Sequence, residues 1–303
     1  MSRSVALDWA RDGPDWPHAQ HSRFVQAAGL RWHVQHFTGP APDAPCMLLL
    51  HGTGASTHSW RDLAPLLAKR YQVIAPDLPG HAFTGLPPGG VGSPQLTLPG
   101  MAAALKGLLQ ALGQQPARVV GHSAGAAIAV RMCLDGLIHP QRLSGLNAAL
   151  LPLGGLAGAV FSPAAKLMAS VPMVPRLFAW RAGEPAVLQR LLQSTGSTLD
   201  PAGTALYRRL VTCPAHATGA LGMMANWDLP TLATDLPRLA VPLDLLVGSW
   251  DRTVPPEQAQ RVWARLSAAA RGHLTVLDRL GHLAHEEDPA RVADDLLDAE
   301  QVA

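Results

Sequence analysis

Short apolar runs and longer amphipathic stretches take turns along this chain. Arg23 to Gln26 and Leu30 to Gln35 alternate apolar and polar residues around Ala28-Gly29, which predicts an antiparallel hairpin. Six further runs lack that alternation: Cys46 to Leu50, Gln72 to Ala75, Arg118 to Val120, Leu143 to Ala148, Leu243 to Val247 and His273 to Leu277. Unbroken apolar runs of this length belong to strands covered on both faces. Helical spacing appears between them, over Trp60 to Lys69 behind an N-cap at Ser56 or Thr57, and over Met101 to Leu112, closed by Gly113. It returns over Ala126 to Cys133, Pro256 to Ala270 and Asp288 to Asp298. Residues 1 to 22, rich in Trp, Pro and His, have no period and read as an extended lead-in.

Strands alternating with helices predict parallel pairing with crossover helices, hence an α/β fold with a doubly wound, mostly parallel sheet. In such a sheet the site lies at the C-terminal ends of the strands. From Leu150 to about Trp227 the strand pattern stops. Helix-like pieces such as Glu184 to Gln193 and Pro201 to Val211, separated by Pro and Gly, predict an inserted helical cap. The expected division is a core over residues 1–149 and 229–303, with the cap over 150–228.

Composition narrows the function. Hydrophobic residues make up 48% and charged ones 15%, so a large core is available and disorder is excluded. A net charge of +2 offers no footprint for nucleic acid. Cys46, Cys133 and Cys213 are odd in number and far apart, which excludes a disulfide framework or zinc spacing and suits a reducing compartment. The first residues lack the apolar block of a signal peptide, so the expected location is cytoplasmic. Leu143 to Ala165 carries no charge and is long enough to span a bilayer, but Pro152, Gly154, Gly155, Gly158 and Pro163 interrupt it. It reads as a core strand followed by an apolar loop, leaving membrane contact peripheral at most.

Chemistry concentrates after the strands. Gly121-His122-Ser123-Ala124-Gly125 matches G-x-S-x-G between a strand and a helix. That order would hold Ser123 on a strained turn, its oxygen exposed at a helix N-terminus. A serine hydroxyl needs a base within hydrogen-bond reach, and the base needs an acid to fix its tautomer. Asp251 follows the Leu243 strand and His282 follows the His273 strand, giving the order Ser, Asp, His that this architecture uses. His285 is the rival base, but Glu286, Glu287 and Asp288 mark it as a helix start with a capping or surface role. Asp244 lies at the wrong end of its strand, and Asp278 leaves little chain between acid and base. The oxyanion donors would be the N–H groups of Ala124 and, from His51-Gly52-Thr53-Gly54, of Thr53. Asp77, His58, His81 and His122 read as structural. No metal-ligand cluster is visible and no cofactor is expected.

With these motifs and Asp77-Leu78-Pro79-Gly80-His81, the chain resembles the α/β-hydrolase superfamily over nearly its whole length. The resemblance implies an eight-stranded sheet with a helical cap. Asp15 to His18, Ser22 to Val25, Gly29 to Gln35, His51 to Ala64, Leu151 to Ala157 and Leu221 to Leu229 are similar to the BchO-type magnesium-chelatase accessory family of bacteriochlorophyll biosynthesis. That closer resemblance implies a tetrapyrrole pathway and chelatase subunits as partners, without supplying a reaction. Two functions follow as expectations. One is a serine hydrolase, esterase-like, acting on a lipophilic ester or acyl compound. Its pocket would be shaped by cap residues from Phe161, Met168, Met173, Phe178 and Trp180 to Met223, Met224 and Trp227. The other is a non-catalytic tetrapyrrole-binding or chelatase-assisting protein on the same fold. One departure stands out: where the superfamily continues Gly-His-Gly, this chain has Gly80-His81-Ala82.

Overall fold

The computed structural model describes residues 6–152, 171 and 173–298. Eight strands form one sheet: β1 (Ser22–Ala27), β2 (Leu30–Phe37), β3 (Cys46–Leu50), β4 (Gln72–Pro76), β5 (Arg118–His122), β6 (Arg142–Leu146), β7 (Leu243–Gly248) and β8 (Arg271–Leu277). Their order is β1-β2-β4-β3-β5-β6-β7-β8. The hairpin β1–β2 and the β2–β4 pair are antiparallel, and every later pair is parallel. The reversal of strand order beside β3 and β5 opens the crevice where the site falls.

The helices are α1 (Trp9–Asp12), α2 (Ala64–Leu67), α3 (Leu98–Leu112), α4 (Ala124–Leu134), α5 (Met173–Ala182), α6 (Pro185–Gln193), α7 (Pro201–Val211), α8 (Pro214–Ala225), α9 (Leu229–Asp235), α10 (Pro256–Arg265), α11 (Ala284–Glu287) and α12 (Pro289–Asp298). Alternate residues of one strand feed opposite layers, as the period of two requires. Leu48 and Leu50 pack with α3, α4 and α10, whereas Met47 and Leu49 pack with Trp60, Leu67, Val292 and Leu296. Helices α5 to α9 all lie between β6 and β7. Five helices begin on a proline (Pro185, Pro201, Pro214, Pro256 and Pro289), whose fixed φ suits the first helical position and whose missing N–H is no loss there.

The structure differs from the pattern in three places. Trp60 to Lys69 is a 3-10 turn over Thr57–Trp60 followed by the single turn α2, because Pro65 cannot donate into a longer helix. Helix α10 stops at Arg265, where Leu266 turns extended. The lead-in is not simply extended: it holds α1 and buries Trp16, whose indole N–H donates to Thr57 at 3.1 Å. Phe161, Met168 and residues 153–165 of the uncharged stretch lie outside the described residues. No helix among the described residues is long and apolar enough to cross a membrane.

Candidate active site

At the end of β5 the backbone turns through Ser123, at φ 50° and ψ −114°, into the first turn of α4. Positive φ at a residue with a side chain is strained and needs its surroundings to hold it. Here the Ser123 N–H donates to Leu146 at 2.9 Å, and its carbonyl accepts from Ala126 and Ala149, each at 3.2 Å. Two glycines permit the turn. A Cβ on Gly121 would strike the backbone of Ala126, and one on Gly125 would strike the Leu50 carbonyl. Ala124 is the first residue of α4, so its N–H has no acceptor within the helix and points out of the helix end.

The loops after β7 and β8 bring Asp251 and His282 together. His282 Nδ1 donates to Asp251 Oδ2 at 2.8 Å. The same carboxylate takes three more hydrogen bonds: Thr253 and Val254 N–H to Oδ1, each at 2.8 Å, and Asn147 Nδ2 to Oδ2 at 2.7 Å. Asn147 also donates to the Gly281 carbonyl at 3.2 Å, so one side chain ties the Asp251 loop to the His282 loop. It does so from a left-handed conformation, φ 47°, which Asn tolerates better than most residues. The His122 ring lies 4.8 Å from the His282 ring, and its Nε2–H donates to the His282 carbonyl at 2.9 Å. Burial drives the His122 pKa well down, so its ring is a neutral spacer between the Ser123 turn and the His282 ring. The Ser123 hydroxyl makes no hydrogen bond to the His282 ring in this arrangement. Such contacts are often loose without substrate.

Backbone and rings also fix the loop after β3. His51 Nδ1–H donates to the Gly52 carbonyl at 2.8 Å, and its Nε2 accepts from Leu78 N–H at 2.9 Å. One neutral tautomer serves both bonds, in keeping with burial holding this histidine down at about 3. In a trans peptide the N–H points opposite the carbonyl, so the bond to the Gly52 oxygen turns the Thr53 N–H away from His51. Asp77 holds its own neighbourhood through His33 at 2.7 Å, Thr57 N–H at 2.8 Å and Phe83 N–H at 3.2 Å. Burial alone would raise its pKa, but the His33 ring and these donors bring it down to about 2.

The helices between β6 and β7 grip this sheet end at several points. The Thr195 carbonyl accepts from Arg252 and His282, each at 3.2 Å, and Ser197 Oγ accepts from Leu283 N–H at 2.8 Å. On α8, His216 accepts from Ala82 N–H and donates to the Gly54 carbonyl, both at 3.0 Å. Nearby, Gly80 and Gly219 meet backbone to backbone: a Cβ on Gly80 would lie 2.8 Å from the Gly219 Cα. Ala82, the departure from Gly-His-Gly, takes φ 42°, in the left-handed region that glycine enters at least cost. On α7, Tyr207 donates to buried Glu286 at 2.7 Å, with Arg61 standing 3.6 Å off. Burial outweighs both partners and pushes the Glu286 carboxyl up to about 8.

The rivals are therefore placed elsewhere. Asp244 sits at the start of β7, paired with Arg142 at 2.8 Å, and Asp278 is exposed beside Arg279. His285 is neither a surface nor a capping residue: it is buried between the His122 and Trp60 rings, at 4.5 and 4.7 Å. Met223 and Trp227 are buried, with Met223 Sδ 3.5 Å from Thr53 Oγ1. Met173, Phe178 and Trp180 face outward, not into a pocket. Asn147 is the residue that the sequence pattern missed. Its signal was a lone amide closing an apolar strand at the site end of the sheet. Among the described residues there is no group of three His, Cys, Asp or Glu side chains fit to hold a metal ion.

Residues 47–295 match the model of an alpha/beta hydrolase family. The chain is 41% identical to the magnesium-chelatase 30 kDa subunit of Rhodobacter capsulatus, over 90% of this chain and 92% of that one. It is 28% identical to a 2-hydroxy-6-oxo-6-phenylhexa-2,4-dienoate hydrolase of Burkholderia cepacia, over 82% and 84%. The enol-lactonase of Burkholderia xenovorans superposes with a TM-score of 0.73 at 20% identity, covering 92% of this chain and all of that one.

Proposed function

The chain belongs to the alpha/beta hydrolase family, and from that premise we propose that it is a serine hydrolase acting on a lipophilic ester or related acyl compound. The observation that carries this reading is the Asp251–His282 pair set beside the strained Ser123 turn. Ser123 Oγ attacks the acyl carbon while His282 Nε2 takes its proton, and the carbonyl electrons move onto oxygen. The N–H groups of Ala124 and Thr53 receive that charge. Collapse breaks the ester bond, and His282 returns the proton to the leaving alkoxide. Water then repeats the sequence on the acyl-enzyme to release the acid. Asp251 stays ionised throughout, holding the Nδ1–H of His282 and stabilising the imidazolium.

The proposed setting is the magnesium-chelatase step of bacteriochlorophyll biosynthesis, in the cytoplasm, with chelatase subunits as partners; the chelatase relative supports the chelatase part of this reading. Its name denotes a subunit, not a hydrolysis. This favours one second reading, a non-catalytic protein that holds a tetrapyrrole or assists the chelatase, its triad idle. Labelling with a fluorophosphonate probe separates the two. An active triad should label the wild type, while Ser123→Ala and His282→Ala should stay unlabelled, with esterase turnover lower by about 10⁴-fold or more. A folded wild type that takes no label would leave the binding reading, tested next by porphyrin titration.

A further inference from the structure

Helix α5 is packed with its small residues inward and its large ones outward. Pro175, Ala179 and Ala182 are buried, whereas Met173, Leu177 and Trp180 are 65%, 58% and 59% exposed. Single exposed apolar side chains mean little, but a contiguous set on one helix face does. At about 100° per residue, Met173, Leu177 and Trp180 fall within about 60° of one another, opposite the buried alanines. Arg176 and Arg181 flank that stripe on its two sides, and the Arg181 guanidinium stands 5.8 Å from the Trp180 ring. The setting is one-signed in sequence: between Asp135 and Glu184 there is no acidic residue, while Arg142, Lys166, Arg176 and Arg181 fall in that interval. Glu184 lies 3.9 Å from Arg181 as an exposed pair, and Arg176 has no acidic partner among the described residues.

We propose that this face of α5 docks on the surface of an anionic lipid membrane. An apolar stripe with an interfacial Trp, bordered by arginines whose stems lie along it while their heads reach phosphate, is the arrangement such helices use. The charge pattern argues against a second copy of the chain as the occupant. A two-fold contact would set the arginines of one stripe against those of the other, and among the described residues only Arg181 has a carboxylate beside it, that of Glu184. The docking stands whether or not Ser123 is a nucleophile.

The test is co-sedimentation of the full chain with vesicles of phosphatidylcholine, with and without phosphatidylglycerol, at rising salt. Wild type should partition onto the phosphatidylglycerol vesicles and come off as salt rises. Arg176→Gln/Arg181→Gln should bind about thirty-fold more weakly, with little remaining salt dependence. Leu177→Ser/Trp180→Ser should stay in the supernatant while keeping the wild-type melting temperature. Wild type that ignores both vesicles, or variants that sediment as wild type does, would overturn the proposal. So would a dimer in light scattering that Leu177→Ser dissolves, because the face would then belong to self-association.

Discussion

In α4 the residues Ala124, Gly125, Ala126 and Ala127 face neighbouring backbone and side chains on every side, and the helix stays buried through Met132. In α5 the small residues face inward against α8, and everything large faces solvent. Both helices use small residues for close approach. They differ in what remains: α4 has committed its side chains from Ala124 to Met132 to the fold, while α5 keeps Met173, Leu177 and Trp180 out of it. An all-buried helix reports on the fold's own geometry, and an inverted one points to something outside the chain.

Acid should separate the two regions most. Burial holds His51, His58, His216 and His285 down at about 3 and His81 at about 4, all near the sheet end. Unfolded, each ring would take a proton near 6.5, so between 6.5 and 4 the unfolded chain binds more protons and stability falls as pH drops. The limiting slope is about 1.4 kcal/mol per pH unit for each ring. Glu286 acts oppositely, since it is protonated in the fold up to about 8, but it is one group against five. Thermal melts from pH 6.5 down to 4 should show a steep fall in Tm. A flat profile would mean that the rings are not held neutral.

A paired substitution tests the contrast itself. Gly125→Ala drives a Cβ into the Leu50 carbonyl and should cost about 3 kcal/mol in urea unfolding. Leu177→Ser, a larger chemical change, should stay within about 0.5 kcal/mol because α5 buries nothing there. Equal losses would erase the distinction. One further substitution should give a gain. Ala82→Gly relieves a left-handed alanine and should raise stability by about 1 kcal/mol, less whatever flexibility the new glycine adds to the unfolded chain.

The strands and the serine turn were legible because each is local. An apolar run, a G-x-S-x-G and a Gly-His dipeptide carry their geometry within a few residues. The pairing of Asp251 with His282 was readable one step further, from chain order and the position of each after a strand. Asn147 was not, because bridging two loops from a third strand is a relation between distant segments that no local period encodes. His285 went wrong for a related reason: its acidic neighbours described a helix start, while its ring answered to Trp60 and His122 across the fold. Trp16 likewise finds Thr57 and Phe83 only in three dimensions.

The crossing of Gly80 and Gly219 imposes a constraint of another kind. Most contacting pairs can trade volume, one side chain shrinking as its partner grows, and relatives then record the contact as correlated exchanges. Here each missing Cβ is excluded by the other residue's backbone, including the Gly80 carbonyl, and backbone cannot shrink. No second substitution rescues the first. Among relatives that keep this crossing, both positions should remain glycine, so one of the tightest joints in the molecule would leave no covariation at all.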